Sequence, residues 1–149
     1  MKKIILKGSI CILFVCLMTN IVNALEQRYT TSINIASESW LQGSARNYAY
    51  KYHKIAITPE RLYVGGNPLV ENGNNCMKLY VKLQKKGFLG IYSDVDSRLM
   101  QFYHNNVEVE SIFGDHGKGT YKHYFSTQSK NGANGGIVST DKVYFYSYD

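Results

Sequence analysis

The sequence predicts an all-β fold, an antiparallel β-sandwich or small barrel of about eight strands. Three observations predict it. All 13 tyrosines lie downstream of residue 24 and the chain has only two prolines, a composition suited to pleated, half-buried surfaces. Apolar and polar residues alternate with a period of two in several segments, as strands with one dry and one wet face require. Turn-forming Gly and Asn residues punctuate these segments, and no stretch downstream of residue 24 sustains a helical period.

The N-terminus has a separate logic. Lys2 and Lys3 precede an apolar run over residues 10–18, and Val22-Asn23-Ala24 supplies modest side chains before a cut. This layout predicts a signal peptide over residues 1–24, a single all-β domain over residues 25–149, and a secreted, extracellular product. The run is shorter than the roughly 20 residues that span a bilayer. Cys16 follows Phe14 and Val15 inside the apolar run, which disfavours a lipid-modified cysteine. Cleavage leaves 125 of the 149 residues, enough for one domain with a real core. It also removes Lys2, Lys3 and Lys7, leaving 14 of 17 basic residues against 11 acidic ones, a net charge of +3 rather than +6. So mild a bias favours anionic envelope polymers or peripheral contact with phospholipid head groups, not nucleic acid. Cys11 and Cys16 leave too, so Cys76 has no intramolecular disulfide partner. A lysine-rich leader with abundant Asn, Lys and Tyr reads as bacterial.

The strands follow in order. Ile33 and Ile35 alternate with Ser32 and Asn34. Residues 47–58 form the longest candidate, but its phase changes internally: Tyr48, Tyr50 and Tyr52 share one face while Ile55 and Ile57 fall on the other. A bulge or bend near His53-Lys54 reconciles the two, and Pro59 ends the run. A strand at residues 61–64 follows. Leu79, Val81 and Leu83 then alternate with Lys78, Tyr80 and Lys82. Lys85-Lys86-Gly87 predicts a hairpin into a strand beginning near Phe88, and Asn105-Asn106 predicts a second hairpin between residues 99–104 and 107–113, with residues 94–97 linking the two. Strands at residues 120–128 and 142–148 complete the set, separated by a glycine-rich connection over residues 130–136. The predicted core is Ile33, Ile35, Ile55, Ile57, Leu79, Val81, Leu89, Ile91, Val107, Val109, Val143 and Phe145.

Tyrosine rows are the strongest candidate site. If Val143 and Phe145 face the core, then Tyr144, Tyr146 and Tyr148 face water, and Tyr48, Tyr50 and Tyr52 form a second row. Exposed phenol rings stack on sugars or pack into a partner; the competing reading is cross-strand pairing that only stabilises the sheet. Trp40, the single tryptophan, is either a core residue or a platform at the rim of that face. The segment from Trp40 through Gly43 to Tyr52 and His53 resembles the start of the lactococcin-972 type of secreted bacteriocins, which place a tryptophan and glycine before a tyrosine-histidine strand.

No residues are assigned to metal or cofactor. His53, His104, His116 and His123 are scattered, with no zinc-site spacing, and Asp94-x-Asp96 lacks the glycine and distal glutamate of a calcium loop. No nucleophile elbow or phosphate-binding loop is present. The leading reading is therefore a secreted, non-catalytic module that binds a cell-envelope glycopolymer or surface protein through Trp40, Tyr48, Tyr50, Tyr52, Tyr144, Tyr146 and Tyr148, with a bacteriocin-like role among its forms. Alternatives are a nuclease-like hydrolase using His116 and His123 as acid and base, and a self-assembling matrix protein pairing through the edge near residues 47–52.

Overall fold

The computed structural model describes residues 26–70 and 75–149; the predicted signal peptide lies outside them. Among the described residues, eleven strands form two antiparallel sheets. In order they are β1 (Glu26–Ile35), β2 (Trp40–Gln42), β3 (Arg46–Tyr48), β4 (Tyr52–Ile57), β5 (Arg61–Val64), β6 (Asn67–Pro68), β7 (Met77–Lys86), β8 (Tyr92–Phe102), β9 (Val109–Asp115), β10 (Gly119–Ser126) and β11 (Ile137–Tyr148).

Each sheet is organised by one strand near the C-terminus. In the first sheet, β11 pairs with β1 along one edge and shares the other between β5 and β4, with β6 beyond β5 and β9 beyond β4. In the second sheet, β10 pairs with β7 on one side and with both β2 and β3 on the other, with β8 beyond β7. Gly43, between β2 and β3, donates its amide to His123 O at 2.8 Å, where a Cβ would lie 3.2 Å from that oxygen. A side chain there would push the two short strands off β10.

The alternation read from the sequence holds where strands are long. Ile33, Ile35, Ile55, Ile57, Leu79, Val81, Val143 and Phe145 are all buried, and Val109 packs partly buried against them. Rings close the space between the sheets: Phe145 of the first sheet meets His123 at 4.2 Å and Phe125 at 6.3 Å between centroids. Burial of such apolar surface is the main favourable term in folding.

Turns and crossings account for the corrections. Leu89 and Ile91 are exposed, because the predicted Lys85-Lys86-Gly87 hairpin turns through residues 87–91 and β8 starts only at Tyr92. Residues 94–97 are no linker but part of β8, with Val95 as an extra residue where the register shifts. The Asn105-Asn106 turn joins no hairpin: β8 belongs to the second sheet and β9 to the first, so the chain crosses between them and leaves Val107 exposed. Asn106 nevertheless takes the left-handed conformation expected of it, with φ 58°.

The predicted strand over residues 47–58 is two strands on different sheets. β3 ends at Tyr48, a bend covers Ala49 to Lys51, and β4 begins at Tyr52. A register shift does occur at His53-Lys54, where Phe113 of the partner β9 is the extra residue. The glycine-rich connection is closely tied down. Asn134 donates to Cys76 O at 2.7 Å and accepts from Lys78 N–H at 2.9 Å, while Gly135 N–H reaches Thr127 O at 2.8 Å.

Candidate functional site

Two outward faces carry aromatic side chains, one on each sheet, and they differ in how open their rings are. On the first sheet, Tyr144, Tyr146 and Tyr148 project outward from β11 as the alternation predicts. Across the ladder, Arg28 lies opposite Tyr146 and Tyr52 opposite Tyr148. Arg28 places its guanidinium carbon 3.9 Å from the Tyr144 centroid, Lys54 its ammonium 4.5 Å from Tyr146, and Lys51 its ammonium 5.0 Å from Tyr52. Tyr52 and Tyr148 stack on each other at 5.6 Å. Lys54 is also bridged to Glu110 at 2.8 Å, which holds its pKa above the ordinary value. Burial raises the pKa of the Tyr146 hydroxyl, with Arg28 opposing it. These rings are thus partnered within their own sheet.

The other predicted tyrosines separate. Tyr48 is only 3% exposed and does not belong to an outer face. Its ring packs edge-on against Tyr29, His53 and Tyr121 at 5.3, 5.1 and 5.6 Å. Burial raises the pKa of its hydroxyl strongly, against the pull of Arg46. Tyr50 sits in the bend, partly exposed, between a strand of one sheet and a strand of the other. The cause is the bend itself: it breaks the period of two that would have kept residues 48, 50 and 52 on one side.

Trp40 is neither core nor rim of that tyrosine face. It is 55% exposed on the outer side of the second sheet, the opposite layer of the sandwich. One row across this sheet reads Trp40, Ser126, Tyr80, Leu99; the next reads Gln42, Tyr124, Lys82, Ser97. Trp40 stacks on Tyr124 at 5.8 Å with planes 22° apart. Between Trp40 and Tyr80, Ser126 is fully buried, its hydroxyl accepting from Gln128 N–H at 3.1 Å and from Asn131 Nδ2 at 2.9 Å. With neighbouring strands about 4.8 Å apart, Trp40 on β2 and Tyr80 on β7 stand about 10 Å apart across the sheet.

Polar groups line the same face. Gln42 Nε2 donates to Gln84 Oε1 at 2.5 Å, Gln84 Nε2 donates to Asp94 Oδ1 at 2.7 Å, and Lys82 Nζ donates to Asp94 Oδ2 at 2.5 Å. Lys82 and Gln84 hold the Asp94 carboxyl below its ordinary pKa, and the same Asp94 contact raises Lys82. This chain of amide, carboxylate and ammonium lies beside the stacked rings and presents donors and acceptors in fixed positions. Among the described residues, no cation lies over the Trp40 ring.

The histidines do not assemble into exposed acid and base. His123 is 2% exposed, enclosed by Phe145, Phe113 and Phe125. Burial, with Arg46 and His53 adding to it, pushes its pKa down to about 3. A neutral ring sealed in the core exchanges no proton with substrate, which removes the nuclease-like pairing with His116. His116, in the β9–β10 connection, faces Asp96 at 3.2 Å and Phe113 O at 3.0 Å. His53 is buried with Nε2 3.0 Å from Gly117 O, and its pKa is lowered chiefly by desolvation. The described residues include no group of three or more His, Cys, Asp or Glu placed to hold a metal ion. The proposed assembly edge near residues 47–52 is also reduced, to the three-residue strand β3 followed by a bend.

No family model matches the chain, and no curated protein does either. Solved structures do. A protein from Sulfurospirillum deleyianum matches with TM-score 0.48 and 9% identity over 83% of this chain and 98% of that one. The CBM36-1 domain of a multidomain xylanase from the hindgut metagenome of Trinervitermes trinervoides matches with TM-score 0.44 and 11% identity over 84% and 98%. The Yersinia pseudotuberculosis-derived mitogen matches with TM-score 0.37 and 8% identity over 85% and 87%. Further carbohydrate-binding modules are among the similar structures.

Proposed function

We propose that this protein is an exported, non-catalytic module that binds a cell-envelope polysaccharide through the outer face of its second sheet. The observation that carries this reading is Trp40, a half-exposed indole stacked flat on Tyr124 beside the Gln42–Gln84–Asp94 hydrogen-bond chain. A pyranose ring has an apolar C–H face and an equatorial rim of hydroxyls. The first needs a flat aromatic surface, and the second needs planar amides and carboxylates fixed at its edge. Both are present on one face, and Tyr80, about 10 Å across the sheet from Trp40, extends the surface to a further sugar of a chain. Lys82 and Lys122 on the same face, with a net charge of +3 for residues 25–149 (14 basic against 11 acidic), suit polymers bearing phosphate or carboxylate groups. Export rests on the N-terminal charge and apolar pattern, and places the module where such polymers are.

The test is binding of the chain beginning at Leu25 to purified Gram-positive cell walls and to a panel of soluble glycans. Trp40→Ala weakens binding about tenfold or more, as loss of a central aromatic contact does. The triple change Tyr144→Ser, Tyr146→Ser, Tyr148→Ser leaves affinity within about twofold. Full retention of binding in Trp40→Ala, or its loss in the tyrosine triple variant alone, refutes the assignment of this face.

A further inference from the structure

Among the described residues, the most exposed apolar side chains form a single hairpin tip remote from the Trp40 row. Between β7 and β8, Phe88 is fully exposed, Leu89 is 80% exposed and Ile91 is 68% exposed. Residues of this kind at a loop tip are costly to leave in water and contribute nothing to the core. Two hydrogen bonds also close the turn on itself. Gly87 N–H donates to Ile91 O at 2.8 Å and Gly90 N–H donates to Gly87 O at 3.0 Å, with Gly90 at φ 79° closing the loop. A tip with internally paired amides loses less on entering an apolar medium than an open loop does.

Lysines collar this tip. Lys86 lies directly opposite Tyr92 at its base, and its Cε is 3.6 Å from where a Cβ on Gly90 would be. Lys122 Nζ sits 4.4 Å over the Tyr92 ring. Lys118 belongs to the adjoining β9–β10 connection, beside Lys85, whose ammonium donates to His116 O at 2.5 Å. Lys51 is on the neighbouring bend, where its carbonyl accepts from His116 N–H. The nearby acids are engaged: Asp96 with Arg98 and His116, Asp115 with the amide of Gly117.

We propose that the β7–β8 tip inserts into the interfacial zone of an anionic phospholipid bilayer. Phe88, Leu89 and Ile91 enter the acyl boundary, Tyr92 sits at the headgroup level, and Lys86, Lys118 and Lys122 meet lipid phosphates. Charge complementarity selects this occupant: an apolar point ringed by cations matches a surface that is anionic outside and apolar beneath. A protein partner would require a shaped apolar surface larger than three adjacent side chains.

The test is co-sedimentation of the chain beginning at Leu25 with phosphatidylcholine vesicles and with vesicles enriched in phosphatidylglycerol. The protein partitions onto the anionic vesicles. The double variant Phe88→Ser, Leu89→Ser lowers the partition coefficient about tenfold or more, and Lys86→Glu, Lys118→Glu abolishes the preference for anionic lipid. All four side chains are at the surface, so far-UV circular dichroism and melting temperature stay at wild-type values and separate a binding defect from misfolding. Absence of vesicle binding overturns the proposal, as does binding unaltered by the serine variant. So does wild-type self-association in lipid-free light scattering that the serine variant removes, because the tip is then a contact between copies. Vesicles carry no polysaccharide, so each result is independent of the polysaccharide reading.

Discussion

Replacing His123 with leucine removes a proton-linked instability that the core carries in mild acid. The folded chain keeps this imidazole neutral, with its pKa pushed down to about 3 by burial first and by Arg46 and His53 second. Its Nδ1 has no hydrogen-bond partner. Unfolding returns the ring to water, where the ordinary value is about 6.5. Below pH 6.5 the unfolded chain therefore binds a proton that the folded chain refuses, and stability falls as pH falls. The penalty is absent above pH 6.5, grows at about 1.4 kcal/mol per pH unit below it, and levels off near the folded pKa. From pH 7.5 to pH 5 the loss attributable to this one residue is about 2 kcal/mol, a substantial share of the stability of an ordinary domain. Carboxylates held low by partners, such as Asp94 by Lys82 and Gln84, lose their contribution in a more acidic window. His53, also lowered chiefly by burial, adds a loss of the same sign and remains in both proteins under comparison. Urea unfolding followed by tryptophan fluorescence at pH 7.5 and pH 5 measures the difference. Wild type loses about 2 kcal/mol more across that interval than His123→Leu, whatever the absolute stability of the variant. Parallel losses in the two proteins would show that His123 is hydrated or partnered in the folded state, and would refute the reasoning.

Two further substitutions test the packing. Tyr48→Phe removes a buried hydroxyl without a partner, so thermal unfolding shows stability unchanged or raised by up to about 1 kcal/mol, whereas Tyr48→Ala costs about 3–5 kcal/mol; a clear loss in Tyr48→Phe contradicts the unpartnered oxygen. Gly136→Ala places a Cβ 2.5 Å from Tyr63 O and 2.9 Å from Met77 Cγ, against a backbone oxygen fixed by the β5–β11 ladder, and costs about 2 kcal/mol or more. Gly87→Ala, whose Cβ meets nothing closer than Ile91 O at 3.4 Å, stays within about 0.5 kcal/mol, and equal melting shifts for the two glycines refute the contact argument.

How much of this was legible depends on the range of the interaction concerned. Alternation is a local property, so the inward residues of β1, β4, β7 and β11 could be read directly, as could the outward direction of Tyr144, Tyr146 and Tyr148. Asn106 announced a left-handed residue by its side chain alone. Pairing is not local. Val107 and Val109 alternate as a strand should, yet the chain there leaves one sheet for the other, and no residue type records which strand will be its neighbour. The same limit hid the face proposed above for polysaccharide. Tyr80 was already on the wet side of its strand in the Lys78, Tyr80, Lys82 pattern, but its alignment with Trp40 requires β2 and β7 to flank β10. The tyrosine row over residues 48–52 failed for the converse reason: three identical side chains at a period of two imply a continuous strand, and a bend at residues 49–51 rotates Tyr48 inward.

The same hairpin links the two proposed surfaces, and its geometry separates their roles. Tyr80 precedes Lys86 by six residues along β7, a rise of about 20 Å. The row of Trp40, Tyr80 and Leu99 therefore lies well back from the apolar tip, and the sheet face that carries it contains the long axis of the hairpin instead of crossing it. With Phe88 and Leu89 at a bilayer surface, that row would stand clear of the headgroups and face along the membrane, where envelope polymers lie. Rings at the tip itself could not do both jobs, since insertion buries the face that a sugar needs. The sheets differ at the indole: Arg28 and Lys54 lie over Tyr144 and Tyr146 on the first, and Lys82 lies over Tyr80 and Tyr124 on the second at 5.9 and 5.6 Å, but no described cation covers Trp40. An open indole on one layer and cation-covered phenols on the other make the two sides of this sandwich chemically unequal despite their similar tyrosine content.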